Sequence, residues 1–394
     1  MNGTSEPLDA VLDPGIAAAV PERLAKTRQF LEKDFAEGLH HGFQLYASVH
    51  GSPVADFAYG RVLGNKVTAN SLLHWLCATK PLTSVAIALL VDDGAIALSD
   101  PVTRHVPEFG AAGKEGARIG DLLSHTVPYR DGSSQFVPSL DWRENLRAAC
   151  LAEIDDSVGV GAVRTYSTWI NAQVLAEIIA RTSGQDYRDF LRTRVLDPLG
   201  MARTFVGMTP DEYSLVESDL VAMTYGGTRK AGSSTSHDGF VAGDPRLRAA
   251  CIPGIGGMGP MRDLAKLYEA LLGCGDVPDR AVWARVSDIL RQQHPIPEPS
   301  EDWDNWASGW SINSMTWSRG FVTDRDMYCP QASRQVFGQP GERTVMALAD
   351  PAIGLVLTFS FNSYVSSAVA GFRLNLLCQA VYEDTADLGG GGSR

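Results

Sequence analysis

The chain has 394 residues, of which 44% are hydrophobic and 20% charged, so it can bury a large core or two domains that share a cleft. This composition excludes a disordered or collagen-like chain. The formal net charge of -12 excludes general attraction to phosphate backbones and anionic lipid, and we expect neither nucleic acid nor a membrane as a partner.

The N-terminal sequence and the cysteines bear on the cellular compartment. The first residues include acidic side chains, no basic n-region and no long apolar stretch, so no secretory signal is predicted. The six cysteines are scattered, without a Cys-X-X-Cys pair or a His/Cys cluster of zinc spacing. We therefore expect a cytoplasmic protein with reduced cysteines, no metal and no cofactor.

In chain order, the apolar pattern predicts a sheet built from distant parts of an α/β chain. It begins with a helix at 21–39, strands at 43–49 and 54–60 that are joined like a hairpin at Gly51 and Ser52, and a buried helix at 79–93. Further helices are predicted at 118–125, 168–183, 186–196 and, after a Gly-rich loop at 253–259, 260–273. Strands at 308–313, 344–349 and 353–361 and a helix at 365–382 follow. We expect 1–99 and 231–394 to form a discontinuous sheet domain, with a mostly helical region at 100–230 and the active site in the cleft between them.

Cys77 and Lys80 stand at the predicted start of the buried helix, and their i, i+3 spacing puts the thiol and the ammonium on one face. A helix N-terminus and an adjacent lysine both favour the thiolate, which is the reactive form of cysteine. The alternative is a small buried apolar residue beside a solvated surface charge, and an isolated CxxK pair favours that alternative. The pair alone therefore predicts no chemistry.

The sequence around this pair, LHWLCATKPLTSVAIALL, resembles the SxxK region of class C β-lactamases and related esterases in the serine β-lactamase and penicillin-binding protein superfamily. Later segments are similar to family segments in the same order: ARIGDLLSHT, TYSTWINAQVLAEIIARTSGQDYRDFL, GIGGMGPMRDLAKLYEALL and FGQPGERTVMALADPAIGLVLTFSFN. The resemblance covers residues 40–365. It implies a β-lactamase/transpeptidase-like fold, in which an antiparallel sheet is flanked by helices and joined to a mostly helical region.

The resemblance assigns roles by position. Cys77 stands where the family has its nucleophilic serine, and Lys80 corresponds to the lysine that helps to deprotonate it. Tyr166 corresponds to the tyrosine that shuttles protons, although a phenol of ordinary pKa needs a neighbouring ammonium such as Lys80 to act as a base. The alternative for Tyr166 is a core tyrosine whose hydroxyl is bonded locally. The implied oxyanion hole consists of the backbone N–H groups of Cys77 and Glu342.

Other positions depart from the family pattern. Thr168 replaces the Asn of the YxN motif, which in relatives helps to hold the lysine and the substrate. Gln339 replaces the Lys or His of the third motif, and so removes a cation that faces the substrate carboxylate in β-lactamases and transpeptidases. Pro340 removes a backbone donor before Gly341. We expect Thr168, Gln339 and Gly341 to contact a substrate, and ordinary β-lactam recognition to be lost.

The leading hypothesis is a transacylase that carries an acyl group on Cys77 from a small-molecule ester or thioester to an amine or alcohol. Ester-to-amide exchange in secondary-metabolite biosynthesis is the favoured variant, because a thioester prefers amines over water more strongly than an oxygen ester does. The first alternative is an esterase or amidase of the same family, which releases free acid. The second is a non-catalytic pseudoenzyme that binds a ligand. An engineered replacement of serine by Cys77 would leave the fold and site unchanged.

Overall fold

The computed structural model describes residues 14–130, 139–227, 244–293 and 315–388. The described helices are α1 (Pro14–Ala19), α2 (Ala25–Ala36), α3 (Lys80–Asp92), α4 (Ile119–Leu123), α5 (Trp142–Leu151), α6 (Ile170–Ser183), α7 (Tyr187–Leu191), α8 (Pro210–Val216), α9 (Pro245–Ala249), α10 (Met261–Leu271), α11 (Arg280–Arg291), α12 (Arg325–Tyr328) and α13 (Ser367–Thr385). The described strands are β1 (Gly42–Val49), β2 (Ser52–Val62), β3 (Asn65–Lys66), β4 (Leu73–His74), β5 (Phe205–Val206), β6 (Thr224–Tyr225), β7 (Gly257–Gly259), β8 (Phe337–Gly338), β9 (Val345–Asp350), β10 (Leu355–Phe361) and β11 (Ser363–Tyr364).

The main sheet joins the two ends of the chain in the order β3-β2-β1-β10-β9-β8, with antiparallel neighbours. In its centre, Leu45 of β1 lies opposite Phe57 of β2 and Phe359 of β10. All residues of β1 are buried, because helices cover both faces of the sheet. Side chains of α2 and α13 share a core with Phe43 and Leu45, while α10 shares a second core with Tyr46 on the opposite face.

A second, small sheet holds the segment that leads into α3. Its strands run in the order β4-β7-β5, and both pairings are antiparallel. Each strand has two or three residues, too few to show a repeating apolar pattern in the sequence. Helix α3 follows and is almost wholly buried, packed against α6 and α11. The two sheets therefore place the start of α3 between the main sheet and the helical region.

The predicted fold class is confirmed, and so are most predicted elements: most helices are shorter than predicted, whereas the strand predicted at 54–60 is longer, Ser52–Val62. Helix 21–39 is Ala25–Ala36, helix 168–183 is Ile170–Ser183, and helix 79–93 begins as a 3₁₀ turn, Leu76–Thr79, before α3. The strand predicted at 308–313 lies outside the described residues. The sequence did not predict α5 or α11, and the division into domains at residues 99 and 230 stays a prediction.

Candidate active site

Cys77 lies in the 3₁₀ turn between β4 and α3, and β7 holds this turn on both sides of the thiol. The backbone N–H of Trp75 donates to the Gly257 carbonyl at 2.8 Å, and the Gly257 N–H donates to Oγ1 of Thr79 at 2.9 Å. Leu76 adopts a left-handed conformation with φ 51°. Such strained backbone persists only where its surroundings fix it, so the turn presents Cys77 in one defined position.

Lys80 reaches the same point from the first turn of α3. Cys77 and Lys80 are 7% and 5% exposed, and their side chains lie close enough for the thiol to act on the amine. The amine also donates to the carbonyl of Gly254 at 3.3 Å. Burial lowers the pKa of Lys80 from its usual 10.5, and the opposing effects of Cys77 and Glu342 are smaller. The amine is therefore a better base near neutral pH than an exposed lysine.

Tyr166 completes this group of three. Lys80 Nζ lies 4.9 Å from the centroid of its ring, and its hydroxyl interacts with the side chains of Cys77 and Gln339. Burial raises the pKa of Tyr166 well above 10, and the charges of Cys77 and Glu342 raise it further. The role of a base for Tyr166, which requires a neighbouring ammonium, stays a prediction. A neutral phenol in this position can donate a proton to a leaving group.

The hairpin between β8 and β9 carries the predicted third motif. Gln339 is 1% exposed, and its Nε2 donates to the carbonyl of Pro340 at 3.2 Å. A Cβ atom at Gly341 would overlap the carbonyl oxygen of Trp75, so glycine lets this hairpin lie directly against the turn that holds Cys77. Glu342 begins the tight turn that follows. The structure thus places Gln339 beside Tyr166, and Gly341 and Glu342 beside the nucleophile turn.

The tight turn itself spans 342–344 and is closed by backbone hydrogen bonds between Gly341 and Val345, each 3.0 Å long. The Glu342 carboxylate lies 3.3 Å from Nε of Arg343, and its charge acts on Lys80 and Tyr166. That the Glu342 N–H faces an oxyanion stays a prediction.

The contact between Gly254 and Lys80 was not predicted from the sequence. The Gly254 carbonyl accepts from Lys80, and a Cβ atom at Gly254 would lie 3.0 Å from the carbonyl oxygen of Thr168. Thr168 is half-buried and therefore lies beside the loop that binds the lysine. The resemblance implies an Asn at this position that helps to hold the lysine, whereas in this structure a backbone carbonyl binds Lys80. The only sequence signal was the Gly-rich character of 253–259.

His125 is a second residue that sequence reasoning missed. Its Nδ1 accepts from the Ser167 N–H at 3.1 Å and lies 3.3 Å from Nδ2 of Asn171, so the remaining ring proton belongs on Nε2. Its ring centroid lies 4.7 Å from that of Tyr166. Burial, followed by the charge of Lys80, holds the pKa of His125 well below 6.5. A neutral imidazole therefore packs against the tyrosine ring. His125 lies in the segment ARIGDLLSHT, whose similarity to a family segment predicted no role for this histidine.

Aromatic and apolar side chains enclose the polar group. The Trp317 ring packs 5.5 Å from Tyr166 and 4.8 Å from His125, measured between centroids. Leu76, which precedes Cys77 in the chain, forms a small buried cluster with Met223 and Tyr364. Burial raises the pKa of Tyr364 well above 10, with further contributions from the charges of Glu342 and Cys77. These surroundings lower the local dielectric constant and so strengthen the electrostatic interactions within the site.

Residues 27–377 match the family model described as Beta-lactamase. The chain belongs to the Beta-lactamase family. Esterase EstB of Burkholderia gladioli is 29% identical over 199 residues, which are 45% of this chain and 48% of that protein, so the match spans about half of EstB. Penicillin-binding protein 4 of Amycolatopsis lactamdurans is 28% identical over 288 residues, 69% of this chain and 70% of that protein. The crystal structure of a family VIII carboxylesterase has a TM-score of 0.72 and 22% identity, covering 93% of this chain and 98% of the other.

The family match confirms the superfamily and the β-lactamase-like fold, and makes the chain an enzyme of that superfamily. These comparisons do not test the substitution of cysteine for the family's serine, so the role of Cys77 stays a prediction. Among the residues that the structure describes, no group of three or more His, Cys, Asp or Glu side chains could hold a metal ion. Within the same ranges, no helix has both the length and the apolar character needed to cross a membrane.

Proposed function

We propose that the protein is an esterase or amidase that hydrolyses its substrate through an acyl thioester on Cys77. The observation that carries this proposal is the contact of one buried thiol with a buried amine and a buried phenol. Esterase EstB among the relatives supports hydrolysis rather than the transacylase that the sequence analysis preferred. Family membership supports a covalent acyl-enzyme at the position of the family's serine.

In the proposed mechanism, neutral Lys80 takes the thiol proton and the thiolate of Cys77 attacks the carbonyl carbon. The backbone N–H groups of Cys77 and Glu342 stabilise the resulting oxyanion. When the tetrahedral intermediate collapses, the leaving group receives a proton from the hydroxyl of Tyr166, which is restored by the ammonium of Lys80. Water then attacks the thioester and loses a proton to Lys80. Collapse of the second tetrahedral intermediate releases the free acid and expels the thiolate of Cys77, to which the ammonium of Lys80 returns the proton.

A second candidate function is transfer of the acyl group to a small amine or alcohol. The cysteine itself favours it, because a thioester discriminates between amines and water more strongly than an oxygen ester does. Both functions share the same intermediate and differ only in the acceptor. The amide-to-acid product ratio at a fixed amine concentration therefore separates them.

The experiment for the shared intermediate is intact-mass spectrometry after mixing with a panel of acyl p-nitrophenyl esters and acyl thioesters. We expect one added acyl group on Cys77 in the wild-type protein and none in Cys77→Ala. The matched control is Cys274→Ala, which removes a half-buried cysteine outside the site and should keep the adduct. Wild-type protein without an adduct, or an adduct that persists in Cys77→Ala, would refute the proposal.

The serine variant tests why cysteine occupies position 77. Cys77→Ser passes through an oxygen ester, so its product ratio should shift from amide toward free acid. Its rate should also fall, because a hydroxyl is much less acidic than a thiol. A serine variant with an unchanged ratio and an equal or higher rate would make the cysteine incidental and would remove the support for transfer.

A further inference from the structure

Arg373 on α13 is a buried cation that lies outside the group formed by Cys77, Lys80 and Tyr166. It is 2% exposed, and its guanidinium lies 4.0 Å from the centroid of the Phe361 ring. Its donors bind three backbone carbonyls: Leu39 at 2.9 Å, Ser363 at 3.0 Å and Arg343 at 3.3 Å. One side chain thus joins the C-terminal helix, the segment before β1, the first residue of β11 and the hairpin turn.

A second layer of polar side chains fixes the guanidinium. Its Nη1 lies 3.7 Å from Oδ2 of Asp34, and this carboxylate oxygen lies 2.5 Å from Nδ1 of His40. Nε2 of His40 lies 2.6 Å from the hydroxyl of Tyr59. Burial lowers the pKa of Arg373 to about 10 against the opposing effect of Asp34, so the guanidinium stays charged at neutral pH. A buried charge held by several partners is rigid, because each partner restricts it to one position.

The carbonyl of Arg343 is the contact that links this network to the site. Arg343 has a left-handed backbone with φ 59°, which an L-residue adopts only when its neighbours hold it there. The next carbonyl, of Thr344, accepts from the N–H of Phe361 at 2.9 Å. Arg373 and β10 therefore fix the carbonyl groups of the two residues that follow Glu342 in this turn of three residues.

We propose that Arg373 is a positioning residue that holds the Arg343 carbonyl and thereby aims the N–H of Glu342 at the oxyanion. This inference rests on the proposed function, in which that N–H is one of two oxyanion donors. An oxyanion donor acts only within a narrow distance of the charge that it stabilises, so a small shift of the turn weakens it. Arg373 itself touches no reacting atom.

The test compares two reactions of Cys77 that differ in their need for an oxyanion hole. Acylation by p-nitrophenyl acetate creates a charged oxygen on the attacked carbon. Alkylation by iodoacetamide does not, because the thiolate displaces iodide from a saturated carbon. Both rates are followed by intact mass. In Arg373→Met we expect the acylation rate to fall by about 10- to 100-fold, because a misplaced donor costs at most as much as the loss of one oxyanion donor. The alkylation rate should change by less than about twofold.

Two further variants complete the test. Arg373→Lys keeps a charge with fewer directed donors and should lose acylation selectively, but less than Arg373→Met. Lys114→Met is the matched control, since Lys114 is a buried cation that donates to the carbonyls of Ala111, Cys150 and Ala152 in the helical region. It should leave the ratio of the two rates unchanged.

The possible results separate this inference from the proposed function. Wild-type protein that is alkylated but never acylated would overturn both. Wild-type protein that is acylated, together with an Arg373→Met variant acylated at the same rate, would overturn the role of Arg373 alone. Acylation and alkylation that fall in parallel, or failure of both Arg373 variants to fold, would assign Arg373 to stability and also overturn the inference.

Discussion

The amine of Lys80 lies over the ring of Tyr166, 4.9 Å from its centroid. The ring attracts an ammonium by about 0.5–2 kcal/mol, which would favour the charged lysine. Burial acts in the opposite direction and can shift a lysine pKa by about 3–5 units, so it is the larger effect. The lowered pKa of Lys80 agrees with this comparison. The ring therefore limits, but does not cancel, the tendency of Lys80 to lose its proton.

The first prediction concerns the pH dependence of acylation. Because neutral Lys80 is the base, the acylation rate should rise with pH and reach its midpoint below 10.5, the usual lysine pKa. Lys80→Met should remove this midpoint and slow acylation by about 10²–10⁴-fold. The measurement is the rate of adduct formation on Cys77 from neutral to alkaline pH. An unchanged profile in Lys80→Met would exclude Lys80 as the base.

The second prediction concerns proton donation by Tyr166. Tyr166→Phe keeps the ring that packs against His125 and removes only the hydroxyl. Alkyl esters, whose leaving groups need a proton, should react about 10²–10⁴-fold more slowly, whereas p-nitrophenyl esters should lose less than about tenfold.

The comparison needs both classes of ester and a control tyrosine. Tyr328→Phe is the control variant, because Tyr328 is also buried and its hydroxyl donates to the carbonyl of Val322 at 2.8 Å. It should affect both classes of ester equally. Equal losses for both classes in Tyr166→Phe would show that the hydroxyl does not protonate the leaving group.

The third prediction concerns the contact between the hairpin and the nucleophile turn. In Gly341→Ala, the new methyl group would overlap the carbonyl oxygen of Trp75, so the two segments must separate. We expect a loss of about 1–3 kcal/mol in the free energy of unfolding, together with slower acylation of Cys77. Gly116→Ala is the control, because a Cβ atom there meets no other atom within 4 Å. Chemical denaturation and adduct formation measure the two effects, and equal behaviour of the two variants would contradict the assigned contact.

Two kinds of sequence signal gave correct predictions: apolar residues that recur along one helix or strand, and motifs that follow one another in the family's order. Apolar periodicity predicted the central strands and most of the long helices, though not α5 or α11, and the order of motifs predicted the family and the three residues that meet at the thiol. Periodicity carries no information about strands of two or three residues, and β4, β5 and β7 were accordingly missed. Contacts made by backbone groups could not be predicted from the sequence either.

Gly254 and Arg373 show why the residues that support the reacting groups could not be predicted. Lys80 is bound by the carbonyl of a residue 174 positions away, and any amino acid can supply a carbonyl. Arg373 follows Phe372, which is 74% exposed, in a mostly apolar helix, and a single arginine there is typical of a surface position. Only the folded chain shows that Phe372 faces solvent and that Arg373 is buried.

The last prediction concerns β-lactams and depends on Gln339. Penicillins and cephalosporins carry a carboxylate, and removing that charge from water is costly unless a cation pairs with it. Gln339 is neutral, buried and in contact with Tyr166, so it supplies hydrogen bonds but no compensating charge. We expect kcat/KM for nitrocefin, a chromogenic cephalosporin, to stay below about 10⁴ M⁻¹s⁻¹, the lower end of ordinary enzymes. Steady-state absorbance measures it, and efficient hydrolysis would show that another residue binds the carboxylate.

A matched pair of variants then tests whether position 339 is the cause. Gln339→Lys restores a cation and should lower KM for nitrocefin, while its charge lowers the pKa of Lys80 further, because two nearby ammonium groups repel each other. The pH midpoint of acylation should therefore move down in the same variant. Gln335→Lys adds the same charge at an exposed position on the same segment and should change neither quantity. If Gln339→Lys lowers the pH midpoint but leaves KM unchanged, the lysine lies in the site and the substrate carboxylate is bound elsewhere.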